Sequence, residues 1–211
     1  MNNMITTPGE FKPSVPDDFI GPAHKVAALL HRKIERRKER KDGSCIRNIF
    51  YGPPGSGKSE LAQSTALWAT GSPFGITDMI GSAVTVDDVR GWMNSSQTGN
   101  MFSAYTAIII DEVDTMRDQP QVELMKLLDQ RPRFHLILMT TNKKLEELHW
   151  RFQTRAIPYK VGSPSHAEIS DRLMEWVPNE KARERIVTAA NGCVRAAMLD
   201  AENWMDREEM K

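Results

Sequence analysis

Residues 52–59 read Gly52-Pro53-Pro54-Gly55-Ser56-Gly57-Lys58-Ser59 and satisfy the pattern Gly-x-x-x-x-Gly-Lys-Ser in full. What flanks them restricts the fold more than any other part of the chain. Ile46 to Tyr51 is a short β-type run, and Glu60 to Thr70 is helical in composition until Gly71. A strand that feeds a glycine-rich loop which opens a helix is the setting in which such a loop works. Backbone N–H groups wrap phosphate oxygens, and the helix N-terminus adds partial positive charge. There Lys58 reaches the β- and γ-phosphates of ATP, and Ser59 ligates Mg²⁺. A tight turn rich in Gly and Pro is the alternative reading, and it leaves the strand, lysine and helix unconnected.

The chain continues the same alternation. Strands are expected at Gly75 to Ile80, at the wholly apolar Ala107 to Ile110, at Phe134 to Met139 and at Ala156 to Val161, the last at an edge because Pro158 cannot donate to a ladder. Helices are expected from Pro22, with Val26, Leu29, Leu30 and Ile34 on one face, at Val86 to Met93 and at Gln121 to Asp129. Alternating strands and helices imply an α/β fold: a parallel five-stranded sheet sandwiched by helices. After Gly162 only helices follow. Ser165 and Glu168 form a capping box, Ile169, Leu173 and Trp176 a stripe, and further helices begin near Asn179 and Cys193, which makes a small all-helical lid. The expected division is an extended lead-in over 1–17, rich in proline, an ATPase core over 18–162 and the lid over 163–211.

Of the 211 residues 40% are hydrophobic and 27% charged, enough apolar content for a sizeable core. The 28 basic and 28 acidic residues cancel, so any attraction to nucleic acid comes from a local patch. Cys45 and Cys193 are far apart and lack histidine neighbours at metal-ligand spacing, which argues for two inert thiols. No apolar stretch is long enough to span a membrane, and the N-terminus has no targeting pattern, so a cytoplasmic protein is expected.

Asp111 and Glu112 end the apolar run at 107–110 and supply what the glycine loop lacks. One carboxylate beside Ser59 holds the metal, and a second orients and deprotonates the attacking water; Asp111 takes the first role and Glu112 the second. Asp114 reads as a local helix cap rather than a third ligand. Thr140, Thr141 and Asn142 follow the next strand and emerge at the same sheet edge, where ligands of open α/β sheets bind. Asn142 is the choice to hold the water against the γ-phosphate, with a turn-forming role as the alternative.

With these residues in hand, the chain resembles AAA+ ATPases, on Gly-Pro-Pro-Gly-Ser-Gly-Lys-Ser, Ile108-Ile-Ile-Asp-Glu-Val-Asp114 and Leu138-Met-Thr-Thr-Asn142. Asp111 to Met116 followed by Gln121 and Leu124, then Arg133-Phe134, is similar to the clamp-loader and Holliday-junction motor branch. The resemblance covers about 16–204. It implies that Phe19, Ile20 and Gly21 lie by the adenine, that Asn142 senses the γ-phosphate, and that Arg195 contacts nucleotide in cis. Gln153-Thr-Arg155-Ala resembles the clamp-loader Ser-Arg-Cys segment, which implies an arginine finger at Arg155 acting on a neighbouring subunit's ATP; Arg151 is the rival. The implied partners are copies of the chain or related AAA+ subunits in a ring, together with DNA and a DNA-bound protein. Neither the helical collar nor the winged helix of that branch is seen before Lys211.

The basic run Arg32 to Lys41 contains Glu35 and Glu39 at helical spacing, so internal pairs and a solvated face are expected. Arg90, Arg117 and Lys126, on sheet-edge helices, are the candidates for DNA phosphates. A protein-remodelling AAA+ module is the alternative function. Its aromatic pore loop would fall at Met79-Ile80-Gly81, which lacks the aromatic residue.

Overall fold

The computed structural model describes residues 7–95, 105–133 and 135–210; Phe134, expected to open a strand, and Met1 to Thr6 of the lead-in lie outside the described residues. Five strands, β1 (Ile46–Tyr51), β2 (Ile76–Ile80), β3 (Thr106–Asp111), β4 (His135–Thr141) and β5 (Ile157–Lys160), form one sheet in the order β2-β3-β4-β1-β5. Every pairing is parallel, with Ile49 beside Met139, Ile109 beside Leu138 and Pro158 beside Ile49. β5 is an edge strand, as its proline requires.

The sheet is covered on both faces because successive residues of β1, β3 and β4 point to opposite sides and both sets are mainly apolar, with Asn48 of β1 a buried polar exception. Ile46, Phe50, Ile109 and Leu138 pack with Leu30, Ile34, Leu61 and Ala66 from α1 (Gly21–Glu39) and α2 (Lys58–Thr70). Ile49, Ile108, Ile110, Ile137 and Met139 pack on the other face with α3 (Val86–Ser95), α4 (Asp118–Gln130) and α5 (Trp150–Arg155), through Val89, Leu124, Leu127, Leu128 and Phe152. Three helices follow the sheet: α6 (His166–Leu173), α7 (Glu180–Ala190) and α8 (Val194–Glu209), around Ile169, Leu173, Trp176, Ile186 and Val187. The Ser165–Glu168 capping box is formed in both directions, at 3.3 and 2.7 Å, and the Asn179 side chain accepts from the Ala182 amide at 3.1 Å.

Several local expectations change. The buried stripe of α1 is Ala23, Ala27, Leu30 and Ile34, with Leu29 48% exposed. At about 100° per residue Leu29 lies roughly 130° round the helix from the centre of that stripe. In the basic run Glu35 does pair with Lys38 at 3.1 Å, whereas Arg37 turns to Asp42 at 4.0 Å. β4 runs two residues past Met139, because Thr140 and Thr141 are buried with their hydroxyls bonded across to acids of the neighbouring chain segment. Asp114 is therefore no cap: it accepts from Thr141 Oγ1 at 2.6 Å and pairs with Lys143 at 3.6 Å.

The lead-in is anchored. The carbonyl of Pro13 accepts from Ser64 Oγ at 2.8 Å and that of Ser14 from Trp68 Nε1 at 2.7 Å, both on α2, and a 3₁₀ turn at Pro16–Asp18 then leads into α1. Asp18 closes this bend by accepting from the amides of Ser14 and Val15 at 2.7 and 3.0 Å. Burial pulls its carboxyl upward, but these hydrogen bonds outweigh the burial and hold it below the usual carboxylate range. Of the two thiols, Cys45 is pushed up to about 11 by burial, consistent with an inert side chain.

Candidate nucleotide site

At the carboxyl edge of the sheet a cavity of about 630 Å³ opens between the glycine loop, the end of β3, the lead-in and the start of α8. A pocket of this size suits a nucleotide-sized ligand. The loop is held by backbone geometry. Gly55 has φ +71°, and a Cβ there would lie 2.2 Å from Cys193 Sγ, so only glycine fits. Its carbonyl accepts from the Val194 amide at 3.0 Å, a main-chain bond that joins the loop to the first turn of α8.

Lys58 is buried, and its ammonium donates to the carbonyls of Gly52 and Pro53 at 3.0 and 2.7 Å. Burial lowers its pKa, with the Asp111 carboxylate acting the other way. Ser59 Oγ donates to both oxygens of Asp111, at 2.9 and 3.1 Å, and Thr140 Oγ1 donates to the same carboxylate. Thr140 Oγ1 in turn accepts from the Glu112 amide at 3.1 Å. Serine, aspartate, threonine and the backbone of glutamate are thus one hydrogen-bonded set at the point where three elements meet.

Glu112 occupies the left-handed region, with φ +51° and ψ 52°, a backbone state that costs a non-glycine residue on the order of 1 kcal/mol or more. It is fixed there from both sides: besides the bond to Thr140, its carbonyl accepts from the amide and hydroxyl of Thr115 at 2.9 and 2.8 Å. Gly81 lies directly against that carbonyl, 2.4 Å from where its Cβ would stand, so in this chain Gly81 serves as packing under Glu112. Glu112 thus lines the cavity as an exposed residue beside the half-buried Asp111.

Phe19, Ile20, Pro54, Gly55, Ser56, Gly57, Lys58, Ser59, Asp111, Glu112, Asn142 and Arg195 all line this one cavity. Pro53 and Gly21 are not among its lining residues. Pro53 stands behind it as an acceptor for Lys58, and Gly21 (φ +57°) packs against Pro164. Arg155 does not line the cavity either: it sits at the end of α5, where Nε donates to Asp129 at 2.9 Å. Arg151 lies over the Trp150 ring at 5.8 Å. Thr140, expected at this sheet edge, lines the cavity too, and so do Phe11, Arg172, Met198 and Glu202, for which the sequence suggests no such place. For Thr140 a signal was present, since a buried hydroxyl at a strand end needs a partner. Phe11 and Arg172 gave none, their contact spanning most of the chain.

Thr140→Val keeps the shape of the side chain while leaving the Glu112 amide without its acceptor. The expected result is a loss of about 1–3 kcal/mol in stability, read from chemical denaturation, together with slower turnover. Unchanged stability would show that the network is not formed in solution.

Two acids, a buried lysine and a glycine loop at a topological edge define a P-loop nucleotide-binding domain. The ATPase family associated with various cellular activities (AAA) matches residues 48–158, and the chain belongs to this family. Among curated relatives, replication-associated recombination protein A of Haemophilus influenzae is 25% identical over 187 residues, which is 86% of this chain and 40% of the relative. Replication factor C small subunit 2 of Pyrobaculum islandicum is 24% identical over 190 residues, 82% of this chain and 58% of the relative. This chain therefore spans roughly half the length of such relatives. Among solved structures, the Thermotoga maritima RuvB Holliday junction branch migration motor superimposes with a TM-score of 0.70 at 21% identity, covering 89% of this chain and 63% of that one. A DNA polymerase III gamma subunit-related protein from Thermotoga maritima gives 0.62 at 18% identity, over 83% and 57%. Both share the fold.

Proposed function

We propose that the chain binds Mg-ATP in this cavity and hydrolyses it within an assembly of its own copies or related AAA+ subunits, as a motor or loader in DNA replication or repair. The observation that carries the proposal is the bonded set Ser59–Asp111–Thr140–Glu112 facing the cavity beside the glycine loop. Ser59 and Asp111 supply one hydroxyl and one carboxylate, the donor set suited to Mg²⁺, which takes its remaining ligands from phosphates and water. Among the described residues there is no cluster of three His, Cys, Asp or Glu to form an all-protein metal cage, which fits a shared site of that kind. Bound there, Mg²⁺ would neutralise charge developing on the β- and γ-phosphate oxygens.

The residues divide the remaining work. Lys58 binds the β/γ-phosphates in place of the carbonyls it now contacts. Glu112 accepts a proton from the water as its oxygen attacks the γ-phosphorus, and the bond from phosphorus to the bridging oxygen of ADP breaks. Asn142 positions that water, Arg195 contacts nucleotide from the lid, and Phe19 and Ile20 flank the base, with Gly21 just behind them. Arg155, remote from its own chain's cavity, completes a neighbour's site. The division into lead-in, core and lid at residues 17 and 162, and a cytoplasmic location, belong to the same proposal. Among the described residues no helix is long and apolar enough to cross a membrane.

The names of the relatives, replication-associated recombination and replication factor C, support DNA as the load. On the candidate DNA face Arg90 pairs with Glu123 at 3.5 Å and Lys126 with the same carboxylate at 2.9 Å, so a shared acid offsets two of the three cations. The test is the ATPase rate with and without single-stranded, forked or primed DNA at low salt, alongside native mass with a slowly hydrolysed ATP analogue. Stimulation and an ATP-dependent gain in mass are expected. A rate indifferent to every DNA form would remove DNA from the proposal.

A further inference from the structure

The lead-in touches both halves of the molecule. Toward the core, Pro13 and Ser14 are bonded to Ser64 and Trp68 of α2, the helix that begins at the glycine loop. Toward the lid, the Phe11 ring meets Trp176 edge-on, with centroids 5.6 Å apart, and Thr7 Oγ1 donates to Glu202 of α8 at 3.0 Å. Arg172 of α6 lies against both rings, its guanidinium 4.0 Å from the Phe11 centroid and 5.0 Å from that of Trp176. Arg172 Nε is buried without a hydrogen-bond partner, so the rings, rather than an acceptor, hold this atom in place. Pro8, Gly9, Phe11, Pro13 and Arg172 line the cavity together with Phe19 and Ile20, and Phe11 and Ile20 pack on the same apolar cluster of the lid.

We infer that residues 7–15 are a clasp that ties the helical lid to the core across the base end of the nucleotide cavity, with Arg172 as the positioning residue that latches it on Phe11. This rests on the nucleotide reading of the cavity. Besides the clasp, the lid is joined to the core by the chain at residues 161–165, by Pro164 on Gly21, by Ile20 packed on the lid's apolar cluster, by the attraction between Arg172 and Asp18, and by the Gly55–Val194 bond. These contacts lie near the phosphate loop and the start of α1. Separating the lid from the base end breaks the Phe11–Arg172–Trp176 stack and the Thr7–Glu202 bond. Release of bound nucleotide is therefore gated by a contact between the N-terminal segment and α6, and a partner that draws the segment away would speed exchange without touching the phosphate loop.

The experiment measures dissociation of a ribose-labelled fluorescent ADP, chased with unlabelled ATP, from the full chain and its variants, with the thermal midpoint of each nucleotide-free variant taken in parallel. Phe11→Ala and Arg172→Met are expected to release the label about 10-fold faster, the size of effect that a lost cation–ring contact gives. Because the two side chains form one latch, the double variant is expected to stay within about twofold of the faster single variant. Phe11→Tyr keeps the ring and is expected to match the unaltered chain. Thr7→Val, which disturbs no packed ring, is expected to give about a threefold increase, so the inference stays testable if the ring variants fold poorly. A lowered thermal midpoint with unchanged release in all of these variants would reduce the stack to ordinary packing and overturn the clasp. Failure of the unaltered chain to bind the label would overturn the nucleotide reading and the clasp with it.

Discussion

Glu112→Gln is expected to retain Mg-ATP with affinity within about threefold of the unaltered chain and to lose turnover by a factor of about 10² to 10⁴, the range that general-base catalysis supplies. The substitution changes one oxygen to an amide nitrogen. It leaves in place the bond from the Glu112 amide to Thr140 and those from Thr115 to the Glu112 carbonyl, and these backbone contacts hold residue 112 in its left-handed conformation. In the proposed site binding falls to the glycine loop, Lys58 and Ser59, whose hydrogen bonds run to Gly52, Pro53 and Asp111 and not to the Glu112 side chain. Phosphate release in single-turnover and steady-state assays separates the two quantities. Turnover that survives the change would take the proton-accepting role from Glu112.

Arg155→Ala is expected to bind nucleotide normally and to lose about 10³-fold or more of the assembly-dependent rate, as removal of a guanidinium from the transferring phosphate does generally. Stability should fall little, by about 0–1 kcal/mol, because the bond to Asp129 is a partly exposed ion pair. The decisive measurement mixes Arg155→Ala with Glu112→Gln chains. Each alone is inactive, but a site made of an intact Glu112 on one subunit and an intact Arg155 on the next is complete, so mixing is expected to restore turnover. No recovery at any ratio would place the finger elsewhere, with Arg151 the next to test.

How much of this was legible in advance depended on how far each interaction reaches along the chain. The glycine loop is a local object, and its strand and helix were readable from adjacent residues. β3 and β4 are readable because burial on both faces leaves a continuous apolar run, whereas β1 carries Arg47 and Asn48 and is marked by the glycine loop that follows it. β4 was cut short at Met139 because Thr140 and Thr141 look like the start of a loop. Their burial is made possible by Asp111 and Asp114 on another strand and its following turn, information that no window around residue 140 contains. Leu29 was misplaced because an apolar residue next to a stripe is not on it. The lead-in was read as extended for its prolines, and its one large ring, Phe11, has its partners at positions 172 and 176. For the same reason Gly55 to Ser59, Asp111 and Glu112 stand out in local pattern and line one cavity, whereas Phe11 and Arg172 line it with no local pattern to mark them.

The bond between the Gly55 carbonyl and the Val194 amide links the loop that wraps phosphate to the helix that carries Arg195. It is made entirely of main chain. The side chain of Val194 and those on the lid's outer surface can change while this connection persists, because no substitution short of one to proline deletes an amide hydrogen. Proline is tolerated in the first turn of a helix. A scan that replaces side chains one at a time would thus pass over a direct main-chain link between the glycine loop and the lid.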